Sequence, residues 1–322
     1  MTIIKKTALA FLFILLSFTC FSWGFYAHKK INYYAVLLLP PQMLLFYKSQ
    51  IEFISNHAVD PDKRRYLIAN EGAHHFIDID HYGKYPFDSL PRKWSKALEK
   101  YGKDTLQQFG ILPWWILITE QKLVQAFKEK DKLAILKISS DLGHYIADAH
   151  VPLHNNSNHN GQHTNQEGIH AFWESRIPEL FAEKSWNFFI GKANYIENKE
   201  AFVWNIILQS AAESDSVLIL EKQLSASFPE SRKFAYENRN NKLLKQFSTE
   251  YATAYNIRLN GMVERKMRLS IYSIACMWYT AWVDAGQPNL STLADSSFSE
   301  SDLKEFDHLE ETWRKSGSRE EH

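Results

Sequence analysis

The stretch MVERKMRLSIYSIACMWYTAWV, residues 262–283, decides the fold class. Met267, Ile271, Ile274, Trp278 and Trp282 recur at three- and four-residue steps, the period of one helical face, and neither glycine nor proline interrupts the run. The pattern predicts a helix whose tryptophans serve as core packing. The same reading extends outward to helices over residues 90–101, 114–128 and 132–149. Nearer the N-terminus, residues 28–45 read as a helix broken at Pro40 and Pro41, and residues 47–53 as a short second one.

Composition agrees. Only 12 glycines and 10 prolines punctuate 322 residues, while Trp, Tyr and Phe make up 14%, a balance that favours long helices packed through aromatic rings. The chain is long enough for a substantial core, and the expectation is an all-α fold in one multi-helix domain. Residues 60–65 read as a polar turn around Pro61, and residues 66–91 as a long functional loop with short helical pieces. Residues 155–166 form an Asn-, His- and Gly-containing loop, and residues 291–322 a polar, flexible tail. Lys and Arg total 37, as do Asp and Glu, which removes the electrostatic argument for a dedicated duplex-DNA or anionic-membrane binder.

The first 22 residues read as an address. Lys5 and Lys6 precede an apolar run from Thr7 to Phe18, then the small residues Cys20 and Ser22, the order of a secretory signal peptide. The run is short for a membrane span. Acylation at Cys20 is the weaker reading, because Ser17, Phe18 and Thr19 lack the aliphatic residue of a lipobox. Cleavage after Ser22 makes Trp23 the first residue of a secreted or periplasmic protein, with residues 23–290 as its helical domain. It also leaves Cys276 alone, so no intramolecular disulfide can form.

Ten of the 13 histidines lie between His57 and His170, and the chemistry is concentrated there. In HYIADAHVPLH, residues 144–154, His144 and Asp148 are four apart on one face of a predicted helix, and Pro152 ends that helix so that His154 turns in from the loop. IHAFWES repeats the spacing with His170 and Glu174. Upstream, Asp60 and His75 stand fifteen apart, and His28 lies five after Trp23. A lone His and acid at this spacing is usually a surface pair, but two such pairs beside a third histidine point to metal ligation. Eight side chains exceed the needs of one ion, and several closely spaced metals suit in-line attack on a phosphodiester. His74, His81, His150, His159 and His163 read as supporting or solvated groups, and His57, His308 and His322 receive no role.

These residues resemble the trinuclear zinc superfamily that joins bacterial phospholipase C to the single-strand nucleases of fungi and plants. The likeness covers residues 23–174, with Trp23-Gly24, His28, Asp60, His75, His144-x-x-x-Asp148, His154 and His170-x-x-x-Glu174 in order. The resemblance implies three zinc ions in a mostly helical domain. Asp60, His75, His144 and Asp148 would hold the first, and Asp148 would bridge to a second held by His28 and the amino group and carbonyl of Trp23. His154, His170 and Glu174 would hold the third. It further implies that a hydroxide bridging the first two zincs attacks phosphorus, oriented by Asp60, while the third zinc stabilises the departing oxygen.

The expected activity is phospholipase C-like, with a single-strand nuclease as the alternative and a non-catalytic zinc module as the least favoured. Glu174 and the absence of disulfides are similar to the phospholipase branch. The Trp23–His28 and Asp60–His75 steps and the tryptophan in FWES are similar to the nuclease branch. Phe76, Tyr145 and Trp173 are candidates for a base-stacking slot, and Trp114, Trp115 and Ile116 for an apolar lip that receives acyl chains. Lys63 and Arg64 are basic groups near the site that could meet a phosphate. The partner expected is the phosphodiester itself, acted on by a monomer.

Overall fold

The computed structural model describes residues 24–65, 67–239, 242–294 and 298–315. The expected signal peptide and Trp23 lie outside that set, and among the described residues no helix is long and apolar enough to cross a membrane.

Helix dominates. α1 (Phe25–Val36) ends before the Pro40-Pro41 pair, and α2 (Pro41–Ser49) begins on the second proline, whose fixed φ suits a first helical turn. α3 (Ile51–Asn56) follows, then a 3-10 turn and α4 (Asp60–Arg65), a six-residue helix where a polar turn is expected. The region up to Pro91 contains the 3-10 turns Glu71–His74 and Ile79–Tyr82, in keeping with a loop that carries short helical pieces. α5 (Trp94–Tyr101) and α6 (Lys103–Gln108) lead into α7 (Leu112–Glu129) and α8 (Lys132–His150).

Past the loop, α9 (Ile169–Ala171) runs through a π-turn, Phe172–Arg176, into α10 (Ile177–Ser185). The long α11 (Lys199–Ser227), α12 (Glu230–Lys233), α13 (Thr249–Arg258) and α14 (Met262–Asp284) follow, with α15 (Ser291–Ala294) and α16 (Glu300–Lys315) at the end. The exception to the all-helical expectation is an antiparallel hairpin, β1 (Phe234–Arg239) and β2 (Lys242–Phe247), in which Phe234 pairs with Phe247.

α8 is the central strut. Asp131 caps its N-terminus by accepting from the Ala134 amide at 3.0 Å, and α1, α7 and α14 pack around it. From Leu142 to His150 every side chain is buried, so the helix cannot present its polar residues to water and must pair them inside. The predicted stripe of α14 faces this core: Met267, Ile271, Ile274 and Trp278 are fully buried, and Trp278 donates its indole N–H to the Ser139 carbonyl at 3.0 Å. Each such side chain contributes roughly 1.5–3 kcal/mol by leaving water. α1 reaches α8 closely because residue 143 is glycine; a Cβ there would run into the Asn32 amide. Asn32 itself donates to the His28 carbonyl one turn back, at 3.2 Å.

The expected flexible tail is helical over residues 300–315, and Trp313 is buried. The Trp313 indole gives this mostly charged helix an apolar anchor, and its burial docks the segment.

Candidate metal centre

Three groups of metal-ligating side chains meet at the inner face of α8. His28, His144 and Asp148 form one, Asp62, His75 and His144 a second, and His154, His170 and Glu174 a third. In each, one potential ligand atom per residue lies within 4.8 Å of the others.

α8 supplies the middle of the array. His144 Nδ1 donates to the Ala58 carbonyl at 2.8 Å, which fixes the ring and turns the Nε2 lone pair inward. There Nε2 stands 3.2 Å from Asp148 Oδ2, 3.6 Å from Asp62 Oδ1 and 3.0 Å from His75 Nδ1. The His28 ring stacks on that of His144 with centroids 3.8 Å apart, an approach that Gly143 permits, and His28 Nε2 lies 3.4 Å from Asp148 Oδ1. Asp148 thus joins the groups: its Oδ2 takes His75 at 3.0 Å, and its Oδ1 faces His28 and, at 4.0 Å, His154.

The third group hangs from the loop and the π-turn. Pro152 opens a 3-10 turn after α8, and His154 Nδ1 donates to the His75 carbonyl at 2.6 Å. Its Nε2 makes no hydrogen bond and faces Glu174 Oε2 at 3.5 Å. His170 Nε2 stands 3.1 Å from the same oxygen across the π-turn. Gly24 sits against Ser175, where any side chain would collide, so the start of α1 abuts the turn that bears Glu174.

The eight residues are at most 3% exposed. Three carboxylates and five imidazoles in so little water carry a large desolvation cost unless positive charge sits among them. The protonation pattern fits that need. Burial drives His28 and His75 down to about 3 and lowers His154 and His170 as well, so these rings are neutral, as metal ligands must be. Burial also disfavours charge on His144, but Asp148 and Asp62 outweigh it and push that ring up to about 9. Burial opposes ionisation of Asp148 too, yet the charge of His144 and the hydrogen bonds from His144 and His28 hold it far below the usual carboxylate range. The field at the His144 Nε2 position therefore calls for a cation. Neutral lone pairs aimed at buried carboxylates form a donor set suited to a transition-metal ion, and these groups could hold metal ions.

One expected ligand is corrected. Asp60 does not reach the array: its Oδ2 takes His57 at 2.6 Å and its Oδ1 takes Lys63 at 3.2 Å. The carboxylate that turns inward is that of Asp62. On a helix two residues are separated by about 200° of rotation, so α4 can aim only one of its two aspartates at the centre. The role of base or orienting group assigned to Asp60 falls with its position.

The substrate-side residues divide. Phe76 is half-buried and lines a small pocket with Arg65, His75, His154, His159 and His170. Tyr145 is buried, and its hydroxyl donates to Glu71 at 2.5 Å. Trp173 is also buried, so neither ring lines that pocket as a stacking surface. Trp114 and Ile116 are buried as well, and Trp114 donates to the Arg92 carbonyl at 2.7 Å; the proposed lip is a packed helix start. Trp115 stacks on His74 at 3.6 Å. Lys63 and Arg64 face away from the centre, toward Glu310 and Asp141 respectively, both at 2.7 Å. Of the other histidines, His150 bonds Ser273 and His81 stacks on Phe109, whereas His159 reaches the pocket.

Arg65 and Glu71 escape a reading of the sequence. Arg65 lines the same pocket as His75, His154, His159 and His170, and its positive charge adds to burial in lowering all four. Glu71 collects Tyr145, Arg64 and His74 just ahead of His75. The signal for Arg65 is its place three after Asp62, one helical turn along the same face. No protein-family model matches the chain, and a search of curated proteins returns no significant match.

Proposed function

We propose that the chain is an exported, zinc-dependent phosphoric diester hydrolase of the phospholipase C-like kind, holding three zinc ions at this centre. The observation that carries the reading is the convergence of eight buried ligating side chains in three adjoining groups, linked by Asp148 and His144. His28, His144 and Asp148 take one ion, Asp62 and His75 with the same pair another, and His154, His170 and Glu174 the third. We assign the amino group of Trp23, freed by cleavage after Ser22, to the group of His28.

Zinc, once bound, supplies Lewis acidity toward the phosphoryl group and toward the attacking water. The protein's part is electrostatic and geometric. The Ala58 and His75 carbonyls hold His144 and His154 in the tautomer that points Nε2 inward. Asp148 and Glu174 offer their charge to the centre from rigid helical turns. Arg65, in the pocket wall, meets the anionic phosphoryl group and holds it over the centre.

A second reading, a single-strand nuclease on the same metals, is favoured by the Phe76 ring beside Arg65, a pairing suited to a stacked base and its phosphate. Burial of Trp114 and Ile116 meanwhile removes the apolar lip expected for acyl chains. Metal analysis of the purified mature chain, with turnover of bis(nitrophenyl) phosphate, tests the hydrolase. Three zincs and chelator-sensitive turnover are expected, and a metal-free, inactive chain overturns it. Phosphatidylcholine against single-stranded DNA and RNA then separates the substrates.

A further inference from the structure

The C-terminal segment lies along the elements that carry part of the ligand set. Phe298 meets Phe53 of α3 with ring centroids 5.2 Å apart. Glu310 takes Lys63 of α4 at 2.7 Å. Trp313, 4% exposed, lies under the same ammonium at 5.6 Å and meets the Phe25 ring, at the start of α1, at 5.7 Å. Two of these anchors are neighbours of a ligand in the chain: Lys63 adjoins Asp62, and Phe25 precedes His28 by one turn. A cavity of about 310 Å³ remains between α16 and the body, lined by Phe25, Asp60 and Lys63 on one side and Glu310 and Trp313 on the other.

Six residues are too few for a helix to hold its place unaided, so the orientation of α4 depends on what grips it. Arg64 grips α8 through Asp141 on one side, and Lys63 grips α16 on the other. With both in place, Asp62 faces His75 and His144. His154, His170 and Glu174 come from residues 151–176, which meet α1 where Gly24 abuts Ser175 but carry none of these anchors themselves.

We propose that α16 is a strap that positions His28 and Asp62. Through Trp313 and Glu310 it sets how tightly the two groups that share His144 hold a divalent ion, and it acts less on the His154–His170–Glu174 group, whose ligands come from other elements. The metal part of this inference rests on the zinc reading above; the backbone part does not.

Full-length mature chains bearing Trp313→Ala, Glu310→Gln or Trp313→Phe test it by zinc retention against a competing chelator and by amide exchange in the metal-free protein. Trp313→Ala is expected to weaken the zincs of the shared-His144 groups about tenfold, the size of an outer-sphere effect, and the third by clearly less. Glu310→Gln loses less, and Trp313→Phe restores retention. Exchange rises at residues 25–31 and 60–65 but not along α8. Equal loss from all sites, no loss from any, or unchanged exchange at residues 60–65 overturns the strap. If Trp313→Ala does not fold, Glu310→Gln decides by the same criteria. A wild-type chain that retains no zinc sinks the metal reading alone, and exchange still decides the strap.

Discussion

Helix α8 and the segment from His57 to His75 bring ligands to the same point by different means. α8 is nineteen residues long and buried on all sides at its C-terminal half, so the i, i+4 period alone aims His144 and Asp148. The other segment is a 3-10 turn, the six-residue α4 and a second 3-10 turn, too short for a period to aim anything. Asp62 and His75 are placed instead by side-chain bonds, and two of these end on α8 itself: Arg64 on Asp141, and Glu71 on Tyr145. One stretch acts as a template, and the other is cast against it.

The largest effect expected on that contrast is from the template. Asp148→Asn should lower phosphodiester turnover by on the order of a thousandfold and strip metal from more than one group, with helix content by circular dichroism unchanged. Full turnover in the purified variant would refute the centre. Next comes the choice between neighbours: Asp62→Asn should cost about a hundredfold in metal affinity. Asp60→Asn should leave the metals in place and cost about 1–3 kcal/mol of stability through its lost bonds to His57 and Lys63. The reverse order of metal loss, read by direct metal analysis, would restore Asp60 as the ligand.

A smaller effect should come from the bonds that cast the second stretch. Burial opposes ionisation of Glu71, but His74, Arg64 and the Tyr145 hydroxyl outweigh it and hold the carboxyl at about 2 against an ordinary 4.5. A carboxylate lowered in this way stabilises the fold above pH 4.5 and loses that contribution as pH falls toward 2. Glu71→Gln should therefore be less stable than wild type by about 1–3 kcal/mol at pH 7, with the gap closing over that interval in chemical denaturation. A gap independent of pH would assign the loss to packing. Smallest of all, Tyr145→Phe should cost about 1 kcal/mol in the same assay and leave KM unchanged. A large rise in KM would return Tyr145 to the substrate surface.

What could be read in the residues follows the same division. The limits of α8 and α14 match their periodic stretches within a residue, and the tryptophans of α14 are core. The pairs His144/Asp148 and His170/Glu174 converge as their spacing requires, although the second pair spans a π-turn that no spacing reveals. The Asp60–His75 interval misleads because spacing along the chain does not say which way a short helix is rotated. α11 leaves no clean apolar stripe, since Ser210, Ser214 and Glu221 are buried among its apolar residues. α16 is hidden for a different reason: four apolar residues, Leu303, Phe306, Leu309 and Trp313, are too few to register in the composition of a charged stretch, although they recur at helical steps. Trp23 falls outside the described residues, and its role rests on the proposal.

The glycine at position 143 carries a consequence beyond its own size. Two imidazoles can lie face to face because the Asn32 amide of α1 fills the place where a side chain at residue 143 would begin. A methyl group inserted there would act as a shim: it would change none of the donors, yet it would widen the gauge between their rails and detune every coordination distance that spans the gap.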